Sequence, residues 1–277
     1  MTIPEVGTAQ FIIFGVGAIF FVLVPPILAL IWKFAKKERF TTILAGAGTF
    51  LLFALILEKP LQALVISIDH PVSRFLNANP IFLSIVAALF AGVFEEIGRF
   101  VAFKTVLRKR KNKETSISYG IGHGGFEVML ILGYSYAINL VYAIMMKTGT
   151  IKSLIDETLA KAPDQADAIA ELLNTVATFE ISNFLVGIVE RVFAVLYHVG
   201  ASIIVFYACK DKKKTWLLPL AILLHTAMDF VAALYLFKVI SISAWGLEAI
   251  VGVFGAAVFF GAYLLLYKKD KDGEMDQ

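Results

Sequence analysis

Residues 81–103 read IFLSIVAALFAGVFEEIGRFVAF. About 20 apolar residues suffice to cross the hydrocarbon layer of a bilayer, and this run is long enough. Its second half nevertheless carries Glu95, Glu96 and Arg99. An ionisable side chain inside hydrocarbon is costly unless paired or hydrated, so it marks a functional site by default. The first half of the run thus points to a membrane span, and the second half to chemistry within it.

The rest of the chain agrees. Of its 277 residues, 59% are hydrophobic and 17% charged, against about 45–50% and about 25% in a soluble domain. Cys209 is the single cysteine, which excludes a disulfide scaffold. Twenty-five Lys and Arg against 22 Asp and Glu give a net charge of +3, which does not suggest a nucleic-acid partner. Seven spans are expected, at 10–32, 41–57, 81–103, 118–146, 181–209, 216–238 and 245–267. The second ends at Glu58-Lys59-Pro60, and Leu61 to Ile68 then reads as a re-entrant or interfacial piece. The fold class is therefore an all-α, polytopic membrane helix bundle in a single domain over 1–277. The N-terminus has no basic n-region, so no cleaved signal peptide is expected.

Lys33, Lys36, Lys37 and Arg39 follow the first span, and Lys104, Arg108, Lys109, Arg110, Lys111 and Lys113 follow the third. Lys210, Lys212, Lys213 and Lys214 follow the fifth, and Lys268, Lys269 and Lys271 the seventh. The alternate connections are poor in basic residues, so the positive-inside rule predicts N-out and C-in in the cell membrane, with a cytoplasmic tail at 268–277. The long connection at 147–180 alternates acids with Leu and Ile. It reads as one or two amphipathic helices broken at Pro163, outside the membrane.

Ionisable residues recur in four spans: Glu95, Glu96 and Arg99; His123 and Glu127; Glu190, Arg191 and His198; His225 and Asp229. Only His70 among the four histidines lies elsewhere, in an exposed loop by this reading. The pairs Glu95/Arg99, His123/Glu127 and His225/Asp229 are i,i+4 and share a helix face. At ~1.5 Å per residue, Glu95, His123, Glu127, His198 and His225 all fall roughly 8–16 Å from the basic side. Imidazoles and carboxylates at one depth make a Zn²⁺ ligand set. A remaining carboxylate suits a general base. Glu95 and Glu96 side by side in low dielectric do not both ionise freely, and Arg99 can keep one of them ionised. No serine is placed as a nucleophile, and Cys209 reads as inert packing.

Glu-Glu-x-x-Arg at 95–99, Gly-His-Gly-Gly-x-Glu at 122–127, the histidine at 198 and His-x-x-x-Asp at 225–229 together resemble the YhfC family of intramembrane metalloproteases. The likeness extends more distantly to the CAAX-protease and bacteriocin-processing superfamily and to PrsW. It covers roughly residues 80–240, taken as the catalytic core. It implies a hydrolase acting on a membrane-associated peptide or protein, with Glu95 as base, Glu96 its structural partner and Arg99 beside them. His225 and Asp229 match the last histidine element. For the middle element the resemblance leaves two choices, His123 with Glu127 or His198. Together, His123, His198, His225 and Asp229 are the candidate ligands for a divalent metal, Zn, and Glu95, Glu96, Arg99 and Glu127 the candidate catalytic groups, with Glu190 behind them. The same residues also suit an ion-pair lock between helices, a proton- or ion-coupled transporter, or a non-catalytic scaffold or immunity protein. No repeated half supports a transporter.

Overall fold

Within hydrocarbon the backbone has no water to bond, so a spanning segment satisfies its own N–H and C=O groups by coiling into a helix. The computed structural model of the chain describes residues 2–270, and among these it contains helices and no strand. In chain order they are α1 (Thr8–Lys36), α2 (Phe40–Ile66), α3 (Pro71–Ala78), α4 (Pro80–Lys104) and α5 (Glu114–Thr148). There follow α6 (Ile151–Lys161), α7 (Ala166–Ala177), α8 (Ile181–Lys210), α9 (Leu217–Leu236) and α10 (Ala244–Tyr267). Seven segments, all but α3, α6 and α7, are long and apolar enough to cross a membrane. The chain is a multi-pass integral membrane protein, as the hydropathy predicts. The part of the expected tail beyond Asp270 lies outside the described residues.

One expectation is corrected. The second span does not stop at Glu58, and Leu61 to Ile66 is not a re-entrant piece: α2 runs unbroken to Ile66. A proline in a helix lacks an N–H and its ring collides with the carbonyl four residues back. Here the turns before Pro60 widen to π-helix over Leu51–Glu58, which makes room for the ring without ending the helix. His70 lies in the connection before α3, as expected, and is half-buried there. Its ring accepts from the N–H groups of Val72 and Ser73 and caps α3. The 147–180 connection forms two helices, α6 and α7, separated at Pro163 as predicted.

The chain forms two compact units. One holds the residues up to Pro25 with Val128–Ile188. Its core is aromatic: Phe14 and Phe21 meet the ring of Tyr136 at centroid distances of 6.0 and 5.2 Å, and Phe21 meets Phe184 at 5.8 Å. The other holds Pro26–Glu127 with the residues from Val189 onward. Its centre is the second half of α8, where every residue from Tyr197 to Ala208 is buried. A helix apolar all round belongs in the middle of a bundle.

In this larger unit the basic connections meet at one end. Asn112 bonds Glu38, Arg110 bonds Thr42, Lys210 donates to the carbonyl of Lys111 (3.0 Å), and Lys113 to that of Asp270 (3.0 Å). Asp270 in turn accepts from Tyr207 (2.7 Å) and Lys210 (3.1 Å). Asp211 accepts from the backbone N–H of Lys213 (2.9 Å), which holds its carboxyl below the usual carboxylate range.

Candidate functional site

Two glycines set the approach of the helices that carry the site. At Gly122 a Cβ would lie 2.0 Å from the carbonyl oxygen of Ile43, so only glycine lets α5 sit this close to α2. At Gly92 a Cβ would lie 2.4 Å from Thr226 Oγ1 and 3.0 Å from the Ile222 carbonyl, which brings α4 against α9. Each contact lies within one helical turn of a site histidine or glutamate, which is what small residues between membrane helices achieve.

Glu95 is the hub. Its Oε2 lies 2.9 Å from His123 Nε2, 3.8 Å from His198 Nδ1, 4.0 Å from His225 Nε2 and 3.4 Å from Arg99 Nη2. Four helices, α4, α5, α8 and α9, each supply one of these neighbours or Glu95 itself. Glu96 faces the other way. Its Oε1 accepts from His225 Nδ1 at 2.7 Å and lies 3.5 Å from Arg99 Nη1. His225 therefore carries its proton on Nδ1 and turns Nε2 toward Glu95 and toward Asp229 Oδ2, at 3.5 Å. A carboxylate behind a histidine, fixing which nitrogen is free, is the arrangement found around metal-ligating imidazoles.

His198 is engaged on both sides. Arg99 Nη2 donates to its Nδ1 at 2.6 Å. Arginine has no acceptor, so the ring proton resides on Nε2, which lies 2.5 Å from Glu127 Oε2. Glu127 also accepts from Arg191 at 2.8 Å, and Arg191 pairs with Glu190. Eight of the nine candidate residues thus form one connected set. Glu190, partly exposed, joins it only through Arg191. Arg99 and Glu96 are fully buried, as is His123, and Asp229 is the most open of the carboxylates at the centre, its side chain 31% exposed.

The residues present fit a divalent cation. Glu95, His123 and His198 bring ligand atoms within 4.8 Å of one another, an imidazole and carboxylate donor set of the kind zinc takes. His123 Nδ1 is buried with no hydrogen-bond partner among the described residues. Glu95, Glu96, Glu127 and Asp229 set four carboxylates against the guanidinium groups of Arg99 and Arg191, an excess of negative charge that a cation offsets. Arg99 competes for one donor, since it holds His198 Nδ1. His225 Nε2, already oriented by Glu96, is the alternative third imidazole.

The family model described as YhfC intramembrane metalloprotease matches residues 20–251, a span that contains every residue of the set. The chain belongs to the YhfC family. It is 32% identical over 245 residues to the "Uncharacterized membrane protein YhfC" of Bacillus subtilis (strain 168), covering 87% of this chain and 90% of that one. No solved structure matches this YhfC-family chain.

Sequence reasoning missed one neighbour of the set and two further buried acids. Tyr197 is fully buried with its ring edge-on to His198 and His225, at centroid distances of 5.7 and 5.1 Å. Its place next to His198 was the available signal. Glu58, read as the end of a span, is 1% exposed inside α2 and paired with Lys59 at 2.9 Å. Glu248 in α10 is also buried, its Oε2 without a hydrogen-bond partner among the described residues. It is a lone carboxylate four residues into a span, a visible signal that lacked a partner in the motif. Cys209 Sγ lies 3.8 Å from the carbonyl of Phe100, about three helical turns along α8 from His198.

Proposed function

We propose that this protein is an intramembrane metal-dependent peptidase that hydrolyses a peptide bond of a membrane-associated substrate. The observation that carries the reading is the meeting of Glu95, His123 and His198, with His225 behind them, inside a bundle of spanning helices. Membership of a family described as intramembrane metalloprotease supports it.

A bound divalent metal, zinc by the chemistry of its donors, supplies Lewis acidity toward water and a peptide carbonyl. His123 and Glu95 hold it, with His225 or His198 as the further imidazole. The resemblance assigns Glu95 the base's role, but a carboxylate ringed by three imidazoles suits a ligand. The base's role then falls to Asp229, the carboxylate at the centre that reaches an open cavity. Asp229 takes a proton from the attacking water as the water oxygen bonds to the carbonyl carbon. It returns that proton to the amine nitrogen as the C–N bond breaks. Glu96 fixes the tautomer of His225, and Arg99 pairs with both Glu95 and Glu96. The meeting of the basic connections at one end supports a cytoplasmic position for that end, N-out and C-in.

The test is metal analysis of the purified protein with His123→Ala and Glu95→Gln alongside. One zinc per chain, lost in both variants while helix content is kept, is expected. A wild-type protein that takes up no zinc when supplied with it overturns the metal assignment. Proton-coupled uptake into proteoliposomes that Glu95→Gln abolishes would instead favour a carrier.

A further inference from the structure

A cavity of about 560 Å³ lies between the end of α2, the first half of α4 and the end of α9. It is of the size that ligand sites occupy, about 300–1,000 Å³. It runs from Asp229 to Ser67 and Phe237, where α2 and α9 finish. Those ends lie opposite the basic connections. Asp229 belongs both to this cavity and to the site, 3.5 Å from His225 Nε2. The cavity is therefore a route to the ligand set.

Its lining identifies what it takes. Ala63, Ala87, Ala91 and Ala232 present nothing beyond Cβ along part of the wall, beside larger groups such as Ile66 and Phe237. Polar groups sit among them, although α2 spans the membrane there. Lys59, its side chain 55% exposed, and Gln62 both face the cavity. Among the described residues Gln62 is held by 3.4 Å contacts alone, to Lys59 and to the carbonyl of Ala87. Contacts this long are weak, so its amide is available to other partners.

A complete spanning helix, ~30 Å long and 10–12 Å across, fills about 2,400–3,400 Å³, several times the cavity. Only a short piece of such a helix can enter. A peptide bond inside a regular helix has its N–H and C=O engaged, and unwinding frees both at the depth of the membrane, where they need new partners. Lys59 and Gln62 supply donors at that place.

Resting on the peptidase reading above, we infer that this groove receives a short unwound segment of a membrane-spanning substrate. The segment enters from the end opposite the basic connections, with Lys59 and Gln62 as positioning residues that bond its freed main-chain carbonyls. The alanines leave space for its side chains, and Asp229 marks where the scissile bond arrives.

Disulfide capture reads this without relying on hydrolysis. In a Cys209→Ser background, Ala91→Cys, Ala232→Cys and, as a lipid-facing control on α10, Val253→Cys are reconstituted in nanodiscs. The probes are two synthetic 25-residue Leu/Ala spanning peptides, each with a central cysteine, one uninterrupted and one with Gly-Pro-Gly beside the cysteine. The expected result is several-fold higher capture of the interrupted peptide at Ala91→Cys and Ala232→Cys, reduced about tenfold by adding Lys59→Met with Gln62→Leu, and no preference at Val253→Cys. Equal capture of both peptides, or equal capture at Val253→Cys, overturns the inference. Ala232→Phe, which fills the groove, is expected to abolish capture at Ala91→Cys and to slow cleavage at unchanged zinc content. Cleavage at the full rate by Ala232→Phe overturns the groove and leaves the peptidase standing. Selective capture with no cleavage of any interrupted peptide supports the groove and counts against the peptidase.

Discussion

Replacing Gly122 with alanine tests whether helix approach sets the geometry of the site. The added Cβ would lie 2.0 Å from the Ile43 carbonyl oxygen and 2.7 Å from its carbon. Real Cβ contacts essentially never fall below 3.0 Å, so α5 and α2 must part by about 1 Å. Both obstructing atoms are backbone, so no side-chain rotation relieves the clash. Overpacking of this kind costs about 1–3 kcal/mol. At about 2–4 °C per kcal/mol for a chain of this size, the melting temperature should fall by roughly 2–12 °C. The adjacent His123 would move by a similar distance, and a displacement of about 1 Å in a reacting constellation can cost on the order of 100-fold in rate. Gly48→Ala is the matched control. It sits on the exposed face of the same α2 with nothing within 4 Å of the new Cβ, and alanine there should be neutral or stabilising by up to ~1 kcal/mol. Thermal unfolding in detergent and zinc stoichiometry of both variants are the assay. Wild-type melting and zinc content in Gly122→Ala would refute the close-approach argument.

Three further outcomes are expected. Glu96→Gln keeps a hydrogen-bond acceptor near His225 Nδ1 but removes the charge behind it, so zinc affinity, measured by competition with a chelator, should fall about 10–100-fold rather than vanish. Arg191→Met leaves Glu127 without its 2.8 Å partner and should destabilise by about 3–5 kcal/mol; adding Glu127→Gln should recover much of the melting temperature, and a lack of recovery would separate the two residues. Glu248→Leu removes a buried carboxylate oxygen with no partner among the described residues and should raise the melting temperature, by about 1–3 kcal/mol of stability.

Hydropathy alone was enough for seven spans, because burial in lipid demands long apolar helices whatever their neighbours. It failed at Pro60, where the usual rule ends a helix. The π-helical turns that accommodate the ring have no signature in residue type, since they depend on how the backbone shifts over eight residues. The amphipathic pair around Pro163 was legible because a proline after Ala162 interrupts a period that resumes at Ala166. The shared depth of the histidines and glutamates followed from counting residues from the basic loops. Depth does not fix rotation about the helix axis, and the resemblance left His123 and His198 as rival choices for the middle element. In the structure both reach the same oxygen of Glu95, at 2.9 and 3.8 Å, with their rings 5.0 Å apart.

The residue types and their spacing by themselves determined that the chain is a membrane bundle, and that four of its spans carry acids, bases and imidazoles at one level. Both are consequences of local composition and of a constant rise per residue. Only the tertiary structure decided which groups touch. It made Glu95 the hub, gave Glu96 to His225, set Arg99 against His198, drew in Tyr197, and opened a groove onto Asp229. Those outcomes depend on helix rotation and on contacts at glycines such as Gly92 and Gly122, where a backbone of one helix meets that of another. A sequence lists such glycines without saying what they face.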